Sequence, residues 1–219
     1  RWRAVTRQRY LDFNATAPSR PEVIEAVAEA MREGGNASSV HGTGRQARGG
    51  IEHARRSVAT LVGAEYGNVV FTGSGTEANN QALRCSGRKR LIVTAIEHES
   101  ILQARQDAVI CPVLPCGTVD LDVLEQLISA SDEPALVAVM AANNETGILQ
   151  PVAEAARLAH AHGALLHCDA VQAGGKIPVD MAALGADFLT LSAHKIGGPQ
   201  GVGALICRDR QSVGRFVHG

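Results

Sequence analysis

Apolar positions along this chain alternate between helical spacing and short unbroken runs. Helical spacing marks PEVIEAVAEAMRE (21–33), where Pro21 sits in the first turn and its missing N–H costs nothing. It recurs in RQARGGIEHARRSVATLVG (45–63), a longer helix weakened by Gly49 and Gly50 and closed by Gly63. Further helices are predicted at TEANNQALR (from 76), ESILQARQDA (99–108), VDLDVLEQLIS (119–129) and PVAEAARLAHAHG (151–163). The unbroken apolar runs predict seven strands, at NVVFTG (68–73), RLIVTAIEH (90–98), VICPVL (109–114), ALVAVMAANN (135–144), ALLHCDA (164–170), DFLTLSAH (187–194) and GVGALICR (201–208). Pro112 argues that the third lies on a sheet edge.

Most of these strands are β-branched and small residues without polar alternation. Such strands are buried on both faces, as in a parallel sheet covered by helices. The fold class is therefore α/β: a seven-stranded, mostly parallel sheet with helices packed on it. There is no internal repeat, low-complexity tract or linker. The opening RWRAVTRQR carries four arginines in nine residues and reads as an N-terminal arm (1–9) before one large domain (10–219).

Composition narrows the function classes. Hydrophobic residues are 45% and aromatics only 3%, so the core is built from Ala, Val, Leu and Ile. A formal net charge of −1 argues against a nucleic-acid groove or an anionic membrane face. No apolar run approaches the ~20 residues of a membrane span, and the basic start does not lead into a signal-peptide core. Five cysteines, Cys85, Cys111, Cys116, Cys168 and Cys207, lack metal-site spacing and read as small buried thiols of a reducing cytoplasm.

In wound sheets, ligands sit outside the carboxyl ends of the strands. The first strand ends in GSGTEANN (73–80), where Gly75 and Thr76 open a helix whose free N–H groups suit an anion. The segment also matches the GxGxxA dinucleotide fingerprint, with Glu97 placed for a ribose, so a NAD-dependent oxidoreductase is one reading. The second strand ends at His98, which taken alone caps the next helix. The fourth ends in Asn143 and Asn144, which suit a turn. On the fifth, His167 and Asp169 share one face and Cys168 takes the other. The sixth delivers Ser192 and His194, then Lys195, one of three lysines in the chain with Lys89 and Lys176. Taken together, an anion cup, a carboxylate, amides, histidines and one amine match a ligand with a phosphate, a basic ring nitrogen, a phenolic oxygen and an aldehyde. Pyridoxal 5′-phosphate (PLP) has all four.

Six segments carry a resemblance: NASSVHGTGR, FTGSGTEANN, EHESIL, NNETGILQP, HCDAVQAGGKIPVD and SAHKIGGPQGVGAL. In order and spacing they resemble the NifS/IscS-type cysteine desulfurases of the class V aminotransferase family, fold-type I PLP enzymes. The likeness runs from YLDFNATAP onward and implies that 10–219 is a PLP-binding large domain, with the family's C-terminal small domain outside this chain. It implies Lys195 as the Schiff-base lysine, Asp169 on the pyridine nitrogen, and His98 over the ring as a proton-moving catalytic group. Gln172 and Asn144 would face the phenolic oxygen, and Gly75, Thr76, Ser192 and His194 the phosphate. It further implies L-cysteine as substrate, alanine and a persulfide as products, an iron–sulfur scaffold or other acceptor protein for the sulfur, and a cytoplasmic homodimer. The family's substrate-carboxylate arginine and mobile-loop cysteine have no match here, so no persulfide cysteine is assigned. Alternatives are another class V activity, such as a selenocysteine lyase or aminotransferase, or a catalytically incomplete PLP-binding or dimerisation domain.

Overall fold

The computed structural model describes residues 9–218. Its helices are α1 (Pro21–Glu33), α2 (Gly42–Leu61), α3 (Gly75–Cys85), α4 (Glu99–Leu102), α5 (Leu121–Ser129), α6 (Val152–Ala161) and α7 (Met181–Leu184). Its strands are β1 (Val69–Thr72), β2 (Arg90–Thr94), β3 (Val109–Cys111), β4 (Ala135–Ala138), β5 (Leu165–Asp169), β6 (Phe188–Ser192) and β7 (Gly203–Cys207). They form one sheet in the order β1-β7-β6-β5-β4-β2-β3, with β3 on an edge as Pro112 predicts. The pairs β2–β3, β2–β4, β4–β5 and β5–β6 are parallel, while β7 runs antiparallel to both its neighbours.

The lack of alternation has a direct structural cause. Leu166 and Cys168 of β5 and Leu189 and Leu191 of β6 join one apolar cluster, with α5 and α6 packed on it. Leu136 and Ala138 of β4, Phe188 of β6 and Leu205 of β7 join a second cluster against Ala78, Ala82 and Leu83 of α3. Both sheet faces are therefore dry, and each fully buried Leu or Phe contributes roughly 1.5–3 kcal/mol.

Several boundaries move. The helix expected over 99–108 stops at Leu102, where the chain turns before Arg105 reaches back to the Arg88 carbonyl. The strands expected over 90–98 and 135–144 stop at Thr94 and Ala138; past those ends isolated hydrogen bonds to the neighbouring strands persist, from the Ala95 N–H to the Cys111 carbonyl and from the Val139 and Ala141 N–H groups to the His167 and Asp169 carbonyls, without a continuous ladder. Helix α2 begins earlier, where His41 accepts the Gly44 N–H as an N-cap. The four-residue α7, capped by Asp180, was not expected. The expected arm at 1–9 lies, apart from Arg9, outside the described residues. The thiols are free, but only Cys111, Cys168 and Cys207 are buried; Cys116 is exposed and Cys85 half-buried, since their turn and helix-end positions lie off the sheet. Among the described residues no helix is long and apolar enough to cross a membrane.

One close approach ties the sheet to its carboxyl edge. Antiparallel β7 starts at that edge, and Gly203 pairs with Thr72 of β1 and Ser192 of β6. A Cβ on Gly203 would collide with the Ser74 carbonyl group and with the Gly75 nitrogen at 2.8 Å. Gly203→Ala should therefore destabilise the fold by about 1–3 kcal/mol and push the β1–α3 turn outward. A thermal melt checks this; a melting temperature equal to wild type would contradict it.

Candidate cofactor site

A cavity of about 670 Å³ opens at the carboxyl edge, and nine of the residues singled out from the sequence line it: Gly75, Thr76, His98, Asn144, Asp169, Gln172, Ser192, His194 and Lys195. They come from the ends of β1, β2, β4, β5 and β6 because parallel strands deliver their carboxyl ends to one side.

The cup after β1 is tight. Ser74 caps α3 by accepting the Glu77 N–H at 3.0 Å, and the Ala78 N–H closes the first helical turn on the Ser74 carbonyl. The N–H groups of Gly75 and Thr76 therefore precede the helical ladder and are free to meet an anion. A Cβ on Gly75 would lie 3.2 Å from Val171 Cγ2 and 3.3 Å from Ser192 Cβ, so glycine lets the three segments converge without displacing either neighbour.

Asp169 ends β5 and is buried. Its Oδ1 accepts the Val171 N–H at 2.9 Å and its Oδ2 accepts Asn79 Nδ2 at 2.8 Å. Burial raises its pKa, opposed by those two hydrogen bonds and by nearby positive charge, including that of Lys195. A desolvated carboxylate facing a cavity gains most from a cationic partner there.

Lys195 leaves β6 in a short 3-10 turn, Ala193–Lys195. Its Nζ donates to the Asn14 carbonyl at 2.5 Å. Burial lowers its pKa, which favours the neutral amine, against the pull of Asp12, Asp169 and Glu145. Lys176 is close by: its Nζ donates to Gln172 Oε1 at 2.6 Å, and burial together with the charge of Lys195 lowers its pKa. Gln172 Nε2 donates to the Asn14 carbonyl at 2.9 Å. His194 Nδ1 meets Thr16 Oγ1 at 3.1 Å, and burial and Lys195 lower its pKa.

These contacts reveal a wall the sequence analysis missed. The segment from Asp12 to Thr16 straps across the turn that carries Lys195, held by the Ala17 N–H on the His194 carbonyl at 2.8 Å. Asp12, Asn14 and Ala15 line the cavity. The only signal for them was the polar run DFNAT before the first helix. Asn79 and Ser100 lie inside the quoted segments FTGSGTEANN and EHESIL but were given no role there; they line the cavity too.

Other expectations shift. Asn143 does not line the cavity; its Oδ1 accepts the N–H groups of Glu145 and Thr146 and closes a turn, so Asn144 is the amide delivered to the site. His167 is fully buried against Thr190 at 3.0 Å, and burial drives its pKa down to about 3, leaving it a neutral core residue. Glu97 cannot serve a ribose. It is 5% exposed, its Oε1 accepts from Thr94 Oγ1 at 2.6 Å and from the Met140 N–H at 2.8 Å, and burial pushes its pKa up to about 8. That removes the acid on which the NAD reading relied. None of the five cysteines lines the cavity.

The residues fit PLP on these observations: a cup closely packed at Gly75 with two free N–H groups for its phosphate, a buried carboxylate without a directly bonded cation for its ring nitrogen, and an amine with lowered pKa for its aldehyde.

Glu97 also sets a pH dependence. Its folded pKa lies above its unfolded value, so the folded state keeps a proton that the unfolded chain has released. Stability from this group therefore falls as pH rises from the ordinary glutamate range towards about 8, by at most about 1.4 kcal/mol per pH unit. Glu97→Gln keeps the acceptor Oε1 and should flatten this fall. Urea unfolding at pH 5.5 and pH 8 checks it; an unchanged difference between the two would refute the assignment.

Comparison with known proteins agrees with this geometry. The family described as aminotransferase class-V matches residues 9–215. The IscS-like cysteine desulfurase of Mycobacterium tuberculosis is 38% identical over 227 residues, covering 96% of this chain and 58% of the relative. A cysteine desulfurase of Enterobacter agglomerans is 42% identical, with 96% and 55% covered. Among solved structures, a NifS-like protein from Rickettsia africae superposes with a TM-score of 0.86 at 40% identity, covering 90% of this chain and 57% of that one. A structure of SspA in complex with cysteine superposes with a TM-score of 0.89 at 28% identity, covering 97% and 65%. The chain thus spans a little over half the length of the curated relatives it matches.

Proposed function

This chain belongs to the aminotransferase class-V family, and on that premise we propose that it is the PLP-binding domain of a cysteine desulfurase, which takes sulfur from L-cysteine for iron–sulfur assembly. The observation that carries the reading is the convergence of Lys195, Asp169 and the α3 cup on one cavity. The names of the relatives, cysteine desulfurases from two bacteria, support the choice of substrate.

PLP, when bound, supplies an aldehyde carbon and an electron-withdrawing ring that stabilises negative charge at a substrate Cα. The protein's part is binding, orientation and proton transfer. Gly75 and Thr76 offer N–H groups and a hydroxyl to the phosphate, beside Ser192 and His194. Asp169, its two oxygens each fixed by a hydrogen bond, would pair with the ring nitrogen and favour its protonated form. Asn144 and Gln172 line the cavity and would face the phenolic oxygen. Lys195 Nζ would hold the aldehyde carbon and would be the group to take a proton from the substrate Cα; burial lowers its pKa, the direction that favours a neutral amine. His98 lines the same cavity and would face the ring. The sulfur passes to a thiol outside this cavity and on to a scaffold or other acceptor protein, in a cytoplasmic homodimer.

Added PLP should give this chain a visible absorption band. Lys195→Ala should abolish the lysine-linked band, while Lys89→Ala, altered at an exposed surface lysine, should keep it. A band unchanged in Lys195→Ala sinks the assignment of that residue. Product analysis with L-cysteine separates a desulfurase, which releases alanine, from another class V activity.

A further inference from the structure

A chain of polar groups runs from Asp169 through Asn79 and Ser100, all three buried, to the exposed His98, and its hydrogens can be assigned one by one. Asn79, on α3, is 1% exposed. Its Nδ2 donates to Asp169 Oδ2 at 2.8 Å and to Ser100 Oγ at 2.9 Å. The amide cannot be turned round, because a carboxylate only accepts and must face the NH₂ group. Both amide hydrogens are thereby used, and Asn79 Oδ1 is left buried without a partner. Ser100 Oγ accepts from Asn79, so its own hydrogen serves its other contact, His98 Nδ1 at 2.8 Å. The Ser100 N–H points at the same nitrogen at 3.1 Å. A nitrogen that faces two donors carries no hydrogen itself.

We propose that Asn79 and Ser100 are positioning residues that hold His98 as its Nε2–H tautomer. The carboxylate that grips the ring nitrogen and the imidazole over the ring are then parts of one oriented chain, Asp169–Asn79–Ser100–His98. Placement of the members follows from the fold. Asn79 lies one turn beyond Thr76, so a single face of α3 carries the anion cup and the link to Asp169. Asn80 Nδ2 donates to the Ser100 carbonyl at 3.2 Å and fixes α4 against α3. The functional consequence rests on the PLP reading above. The ring nitrogen of His98 away from Ser100 is a donor, not a base, in the resting protein, which leaves proton removal from the substrate Cα to Lys195.

The tautomer can be read without cofactor, so this test stands apart from the absorption test of PLP binding. The chain is labelled with ¹⁵N-histidine, and His98→Gln assigns the His98 resonances. Long-range nitrogen–proton correlations should show Nδ1 as a pyridine-type nitrogen and Nε2 as the protonated one. Ser100→Ala removes the hydroxyl donor and should raise the share of Nδ1–H about five- to tenfold, the effect of one hydrogen bond. Ser100→Thr, which keeps the hydroxyl, should restore the wild-type pattern; a purely packing role for Ser100 would leave the tautomer ratio unmoved in all three. A proton on Nδ1 in the wild-type protein overturns the proposal, and so does a Ser100→Ala ratio equal to wild type. The first of these holds even where Ser100→Ala fails to fold.

Discussion

A carboxylate at the end of a fully apolar strand is costly unless positive charge or donors surround it. Asp169 is in that position, at the end of β5 between β4 and β6. Its neighbours are organised around this cost. The Val171 N–H and Asn79 Nδ2 each donate to one oxygen, and neither is a cation. The remaining stabilisation has to come from the cavity side, where Lys195 contributes at a distance and a protonated ring nitrogen would contribute in contact. A buried acid, a partly desolvated amine and an anion cup closely packed at Gly75 each cost stability. They make joint sense as a site shaped around one bipolar ligand.

The sheet makes this possible because its strand directions are nearly uniform. Five strands end at the cavity and carry their chemistry on or shortly after their last residue, as with Asp169 and Ser192 at the ends of β5 and β6. The exception, β7, is antiparallel and begins at the same edge. Its contribution is closeness: Gly203 lets the β1–α3 turn pack against the backbone, which sets the floor of the cup. The second buried carboxyl, Glu97, shows the opposite solution to the same problem. With no cation facing it, it stays protonated across neutral pH, so it adds no second negative charge beside Asp169.

The seven strands and the chemistry at their ends were legible from the sequence, because each strand is an unbroken apolar run that stops at a polar residue. Asp169, Lys195 and the cup stand out for that reason. Boundaries were less legible. Ala138 and Thr94 end their strands although apolar residues continue: Val139 to Ala142 stay buried, with Val139 and Ala141 keeping isolated bonds to the His167 and Asp169 carbonyls of β5. Apolar character reports burial, and burial outlasts the ladder. Asn143 and His167 look like site residues in sequence for the converse reason: a polar residue at a strand end is indistinguishable from one that closes a turn or satisfies a neighbouring threonine until partners are seen.

The residues that escaped the sequence are those whose role is to hold others. Asn79 lies inside a helix, Ser100 in its neighbour, and Asn14 in an irregular segment over 180 residues from the lysine it receives, as the 181-residue separation of that bond records. No local pattern links such positions; only the folded contacts do. Yet they decide what the visible residues can do. Asn14 offers Lys195 a neutral carbonyl, which orients the amine while adding no carboxylate that would hold it charged. Asn79, with two hydrogens and an amide that cannot turn, converts the charge of Asp169 into a fixed hydrogen direction at His98. On the proposed reading, the acid that would pair with a ring nitrogen also orders the imidazole of His98, through α3, the helix whose N-terminus would receive the phosphate.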